Sequence, residues 1–422
     1  MGRRAGSRCR GELPQQIEPR VGVAGMKSRP GILVIGPTPP PHHGVSMATQ
    51  ALLESDLARQ FNLSLVDLAD RRGIEHVDKP DLFDVLLFVK QWWQVIAKLI
   101  LRRPRIVYLA ISQQLVGFSR DSLFILPSIL LGKRIVLHLH GSNFRNWYDD
   151  QSPPVRGFAR FIIRRADRVI VLGDSLRTLF EGLLPPDRVS VVPNGIPWGT
   201  TSALTAHGPA PRPFRVLYFS TLSSLKGIFV LLEAIPSVLQ VRRDVEFICA
   251  GPWFRQEEQT KAMGFIHGNG LDRFVTFTGA VTTAGDKQRI YESADLFVFP
   301  GVQQEGQPLV VLEAMAAGLP VIFTNRGCLR ETVIQGHNGW EVPLHDSDAI
   351  ARRILWFMTH AEARAEMGRA SRLRYEQAYT REQLVSNLSR VLKSSLERHS
   401  RLAGAVASPV GKSGVSTSVV GD

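Results

Sequence analysis

Two carboxylates, Glu305 and Glu313, sit eight residues apart in the stretch ADLFVFPGVQQEGQPLVVLEAMAAGLPVIFTN, which runs from Ala294 to Asn325. An apolar run ends at Pro300, a turn-rich patch carries Glu305 and Gly306, and a second apolar run carries Glu313 toward the stop Gly318-Leu319-Pro320. This order predicts a strand, a loop, a helix over 309–317 and another strand. In a parallel sheet, ligands bind at the loops leaving the carboxyl ends of strands. Glu305 leaves such an end, and Glu313 rides the helix behind it. The first amides of that helix lack helical partners and can face an anion or a sugar hydroxyl. The competing reading is two solvated glutamates beside a helix start.

Four other segments carry chemistry-bearing residues. Val216 to Lys226, VLYFSTLSSLK, ends a strand and then presents Thr221 and Lys226. A lysine at a helix start can clamp a diphosphate, or it can simply be solvated. In IVLHLHG, His138 and His140 alternate onto one face, with His140 at the strand's tip and Asn143 just beyond. No Cys, Asp or Glu lies near enough in sequence to complete a metal site, so His140 reads as a substrate contact and His138 as a packed residue. Gly44 closes PTPPPHHG after the first strand, with His43 beside it; it permits close backbone approach to a substrate, or ends a rigid proline turn. Asn194, in Pro193-Asn194-Gly195, marks a tight turn where the chain leaves a strand. His43, Asn143 and Asn194 are acceptor-side or structural candidates, whereas Asp167 and Ser175 read as ordinary caps.

These residues need a sheet to hold them. Strand-like runs at 31–36, 63–68, 106–110, 135–140, 169–172 and 189–192 alternate with helical patterns, and a second set follows at 216–219, 245–250, 275–278, 296–300, 321–324 and 340–342. That is the pattern of two α/β domains with parallel sheets. The expected division is a disordered basic arm over 1–28, a first domain over 29–198, a linker over 199–213 and a second domain over 214–378. A helix over 379–397 packs back on the first domain, and 398–422 forms a flexible tail. Met26 is an alternative start.

Composition narrows the class. A chain of 422 residues with 44% hydrophobic and 21% charged residues suits a soluble two-domain protein. The net charge of +13 favours anionic partners. No nucleic-acid reading motif is present, and GxGxxG is absent after the first strand, which disfavours nicotinamide and flavin chemistry. The three cysteines are far apart, which favours a reducing compartment. Asp84, Lys90 and Lys98 interrupt the apolar run from Leu82 to Leu101, so it is not read as a membrane span. The basic, Trp-bearing segment 90–105 reads as a cover helix of the sheet or as a helix lying in an anionic membrane interface.

The pattern Glu305-x7-Glu313 within EGQPLVVLEAMAAGLPV resembles the signature of family four of the GT-B class, the retaining nucleotide-sugar glycosyltransferases with two facing Rossmann-like domains and a central cleft. ADLFVFP precedes it, and Asn325, Gly327, Glu331 and the HNGW at His337 to Trp340 follow. With Pro193-Asn194-Gly195 and Lys226-Gly227, the resemblance runs from Gly31 to about Leu396. It implies that Glu313 holds the donor ribose, that Glu305 and the Gly306, Gln307, Pro308 and Leu309 backbone address the donor sugar, and that Lys226 neutralises the leaving diphosphate. His140 would lie near the reacting carbon, and Gly44 would bring its loop against phosphate or acceptor. The implied co-substrate is a UDP- or GDP-sugar, without a metal or other cofactor. The net positive charge, the Trp-bearing basic segment and a cytoplasmic site suit a glycan or lipid-linked acceptor at the inner membrane face, with a soluble sugar or small molecule as the alternative.

Three positions depart from the pattern. Thr221 stands where the family has arginine, Gln307-Pro308 replaces Phe-Gly, and Gly44-Val45 replaces a double glycine. Arg255 and Arg289 are candidates to supply the missing cation. A phosphorylase-like or epimerising enzyme, and a catalytically weak nucleotide-sugar-binding protein of the same fold, are the alternatives.

Overall fold

The computed structural model describes residues 29–40, 44–72, 81–199 and 212–406, the side chains of 398–406 excepted. The basic arm, His43, most of the linker and residues 407–422 lie outside the described residues.

The first domain holds β1 (Gly31–Gly36), β2 (Asn62–Asp67), β3 (Ile106–Ala110), β4 (Arg134–His138), β5 (Arg168–Val171) and β6 (Val189–Val191), in the spatial order β2-β1-β3-β4-β5-β6. The second holds β7 (Phe214–Phe219), β8 (Val245–Ala250), β9 (Val275–Gly279), β10 (Leu296–Phe299), β11 (Val321–Thr324) and β12 (Gly339–Val342), in the order β12-β11-β10-β7-β8-β9. All the pairings are parallel.

The inner strands β1, β3, β10 and β11 are unbroken runs of buried residues because both faces of the sheet are covered there, whereas the edge strands β2 and β9 are partly exposed. In the first domain Leu33, Ile35, Val107 and Leu109 pack with Val95 and Leu99 of the Leu82–Leu101 helix. On the opposite face Ile32, Val34, Ile106 and Val136 meet Ala51 and Leu52 of the Gly44–Leu53 helix. Leu384, Leu388, Val391 and Leu392 join them from the last helix, Arg381–Val406. Their spacing makes one apolar stripe, so the chain's carboxyl end completes the core of its amino-terminal domain.

Each sheet reverses its winding once, and a crevice opens at the carboxyl ends of the strands where it does. In the second domain the reversal lies between β7 and β10, in register at Val216 with Leu296 and Leu217 with Phe297. The loops carrying Lys226 and Glu305 leave these two neighbouring strands.

Candidate functional site

The loop after β7 turns through a short 3-10 segment, Ser224–Lys226, whose start is capped by the Ser223 side chain. Gly227 then takes φ 85°, and a Cβ there would stand 1.9 Å from the Pro300 carbonyl oxygen, so only glycine lets this loop lie against the one after β10. Val302 and Gln303 both donate their amides to the Leu225 carbonyl at 3.0 Å, bracing the two loops. Within that frame Lys226 Nζ pairs with Glu305 Oε1. Gln303 Nε2 donates to the same oxygen at 2.8 Å.

Glu313 lies one turn into the Leu309–Ala316 helix and is 8% exposed. Lys287 Nζ approaches its Oε1 at 2.7 Å, and Tyr291 OH donates to Oε2 at 2.9 Å. Tyr291 stacks on Phe219, the last residue of β7, at a centroid separation of 5.2 Å. Burial, reinforced by the Glu313 carboxylate, pushes the Tyr291 hydroxyl well above its ordinary pKa, which keeps it a donor. Lys287 and Tyr291 were not singled out in the sequence, although their spacing of four on the Ala284–Ser293 helix puts them on one face. Of the two arginines proposed to stand in for the cation missing at Thr221, Arg289 pairs with Asp286 and Arg255 lies over the Phe254 ring at 5.4 Å. The cation paired with Glu313 is Lys287.

The two domains touch along the same loops. A Cβ at Gly306 would come within 2.0 Å of the His140 carbonyl oxygen, so a glycine is needed for this approach. Next to it the Asn194 amide donates to Gln307 Oε1 at 2.7 Å, Asn194 Nδ2 to the Gln307 carbonyl at 3.1 Å, and Gln307 Nε2 to Thr332 Oγ1 at 3.0 Å. The Gln307 side chain and Asn194 are thus buried parts of an interdomain joint. Pro308 lacks an N–H, so the backbone donors of this stretch are those of Gly306, Gln307 and Leu309. Glu331 reaches across to accept from the amides of Asp174 and Ser175, each at 2.7 Å. Ser175 therefore offers its backbone to the other domain, while Asp167 accepts from the Ile135 amide at 2.8 Å.

The remaining first-domain residues line the ends of β1 and β4. Thr38 donates its amide and hydroxyl to Asp67 at 3.0 and 2.6 Å, fixing the chain just beyond β1, and Gly44 opens the Gly44–Leu53 helix. A Cβ at Gly44 would meet nothing within 4 Å. The Asn143 amide donates to Gln113 Oε1 at 2.9 Å, and Ser142 Oγ lies 3.3 Å from Gln304 Oε1 of the second domain. His140 lies two residues beyond β4, its ring 3.9 Å from that of His138, whose Nδ1 is 2.5 Å from Tyr108 OH. Among the described residues no group of three or more His, Cys, Asp or Glu is arranged to hold a metal ion.

Complete burial, with His140 as a lesser cause, holds the His138 imidazole well below its usual range, so it stays neutral in the fold. The unfolded chain takes up a proton here below about pH 6.5, so the unfolded state binds more protons and stability falls as pH drops. The expected cost approaches about 1.4 kcal/mol per pH unit. Urea unfolding at about pH 7.5 and about pH 5.5 checks this, with His138→Gln expected to flatten the dependence. Equal slopes for the two proteins would contradict it.

Two parallel six-stranded domains facing one another across these loops define the GT-B architecture. Residues 43–197 match the family model "Glycosyltransferase Family 4", and residues 213–360 match "Glycosyl transferases group 1". The chain is a GT-B-fold protein related to the glycosyltransferases of those groups. It is 33% identical over 186 residues to spore coat protein SA of Bacillus subtilis, covering 43% of this chain and 48% of that protein. It is 31% identical over 188 residues to the phosphatidyl-myo-inositol mannosyltransferase of Mycobacterium leprae, covering 44% and 48%. The chain thus spans about half the length of the curated relatives it matches. Among solved structures, Anabaena HepE in complex with UDP-glucose superposes with a TM-score of 0.65 at 20% identity, covering 86% of this chain and 99% of that one.

Proposed function

We propose that this protein is a retaining glycosyltransferase that moves a hexose or hexosamine from a UDP- or GDP-sugar to a hydroxyl of a glycan or lipid-linked acceptor. The observation that carries the reading is the meeting of Lys226 and Glu305 at the winding reversal of the second sheet, with Glu313 one turn into the helix behind them. In this reading the ribose hydroxyls donate to Glu313, and Lys226 turns from Glu305 to the diphosphate when donor enters. Glu305 and the amides of Gly306, Gln307 and Leu309 then address the sugar, with His140 on the facing domain.

The bond from the anomeric carbon to the phosphate oxygen breaks, and a bond from the acceptor oxygen to the same carbon forms on the same face. The acceptor's proton passes to the departing phosphate oxygen, so no protein nucleophile is required. The protein's contribution is positioning and stabilisation of negative charge. Closing the cleft keeps water from the anomeric carbon.

Acceptor class rests on the relatives, one of which is named for transfer to phosphatidyl-myo-inositol. The proposed location is the cytoplasm, which suits two buried free thiols, Cys249 and Cys328, whose pKa burial pushes up to about 12. The test is a panel of UDP- and GDP-sugars scored for nucleotide release with and without lipid-linked acceptors. Release that requires both one donor and an acceptor is expected. Binding of donor without release under any condition would favour the catalytically weak alternative suggested by Thr221.

A further inference from the structure

Exposed apolar side chains are distributed unevenly over the molecule. The Leu82–Leu101 helix buries Gln91, Val95 and Leu99 toward the sheet. Its outer face presents Leu82, Leu86, Val89 and Trp93 to solvent, with Trp93 61% exposed. Spacings of three and four residues make these one stripe on a helix about 30 Å long. Trp92 is half-buried and donates Nε1 to the Leu123 carbonyl at 3.1 Å, and Lys98 Nζ donates to the Leu65 carbonyl, so these two fasten the helix down.

The neighbouring Leu115–Leu130 helix adds Val116 and Leu130, 82% and 86% exposed. Beside it the Pro153–Arg164 helix adds Phe158 and Phe161. An ordinary surface helix turns its apolar stripe inward, and exposed apolar residues elsewhere on the described surface are scattered. Exposed apolar residues on three helices that pack on the same face of the sheet mark a contact surface.

The charge of the layer identifies what it contacts. Lys90 lies within the stripe, Arg102 at the end of its helix, and Arg160 and Arg164 on the third helix, all exposed. The acids of these three helices are occupied: Asp84 pairs with Arg72, and Asp121 is fully buried beside Arg120. A second copy of the chain would bring the same cations face to face across a two-fold interface. Apolar side chains, a tryptophan and exposed lysine and arginine side chains together match the headgroup region of a bilayer containing anionic lipid. No helix among the described residues is long and apolar enough to cross a membrane, so the contact is lateral.

We propose that this three-helix layer of the first domain docks on an anionic bilayer surface. The inference is independent of the transfer chemistry. The test is sedimentation of the full chain with vesicles of phosphatidylcholine alone and of phosphatidylcholine mixed with phosphatidylglycerol. Binding to the mixed vesicles, weakened by added salt, is expected. The double variant Leu86→Glu, Trp93→Glu is expected to lose at least about tenfold in vesicle affinity while keeping the wild-type circular dichroism and UDP binding. The triple variant Lys90→Ala, Arg160→Ala, Arg164→Ala is expected to lose the salt-sensitive part.

Wild-type protein that stays in the supernatant with the mixed vesicles, or a double variant that sediments like wild type, would overturn the proposal. So would light scattering that shows a dimer dissolved by the same double variant. UDP binding that persists in any of these cases leaves the donor reading standing.

Discussion

Glu305→Ala is expected to lower the rate of transfer by about two to three orders of magnitude while UDP binding stays within a few fold of wild type. The carboxylate is held by Gln303 and paired with Lys226. Such a preorganised group contributes most when charge develops at the reacting carbon, which is why the loss falls on kcat. Lys226→Ala is expected to behave differently. In the proposed reading its partner in the occupied site is the diphosphate, so UDP affinity should drop by about tenfold to about a hundredfold, the range of one charge-assisted hydrogen bond. In Glu305→Ala the lysine no longer has a competing partner, so nucleotide affinity has no reason to fall. Stopped-assay turnover and calorimetric UDP titrations on the two variants read the split, and near-normal turnover in both would defeat the assignment.

Glu313→Gln is expected to weaken UDP binding by about tenfold to about a hundredfold. The amide keeps an acceptor for Tyr291 but removes the charge that Lys287 and a ribose diol both seek. Because the effect is assigned to the ribose hydroxyls, it should vanish for UDP lacking its 2′ and 3′ hydroxyls. A loss of equal size for both nucleotides would mean that Glu313 serves the packing around Tyr291 and Phe219 rather than the ligand. Thermal unfolding of the variant separates the two, since a packing defect lowers the midpoint in the absence of nucleotide as well.

The fold was legible because its strands are self-announcing. GILVIG, IVYLA, LFVF and VIFT are buried on both sides, so each reads as an unbroken apolar run, and each forms a strand within a residue or so of the expected limits. The carboxyl-terminal helix was legible in part. Leu384, Leu388, Val391 and Leu392 form one buried stripe against the first domain, but the helix spans Arg381–Val406 and so takes in residues 398–406, which were expected in the flexible tail. Glu305 and Lys226 were singled out by residue type and by loops that leave strand ends, and Glu313 by its place on the helix behind them, while the roles offered for all three came from the family resemblance.

What those side chains touch was not legible. Asn194 and Gln307 are 113 residues apart in the chain, yet the second domain's glutamine is held by the first domain's backbone. A glutamine after Gly306 reads equally well as a donor-facing residue. Likewise Lys287 reads as one more exposed lysine on a short polar helix until Glu313 is brought 2.7 Å from it. Glu331 stands in the sequence only as one of the residues carrying the family resemblance, and its partners, the Asp174 and Ser175 amides, appear only where the domains meet.

By itself, then, the sequence determined the two parallel sheets and which end of each strand carries polar residues, because periodicity and apolar runs report the side on which a residue is buried. Only the tertiary structure decided the partners: that Lys226 closes on Glu305, that Lys287 pairs with Glu313, and that an apolar stripe on the Leu82–Leu101 helix faces outward. The physical reason is that a hydrogen bond or ion pair depends on a few ångströms between segments distant in the chain, and no local pattern encodes that distance.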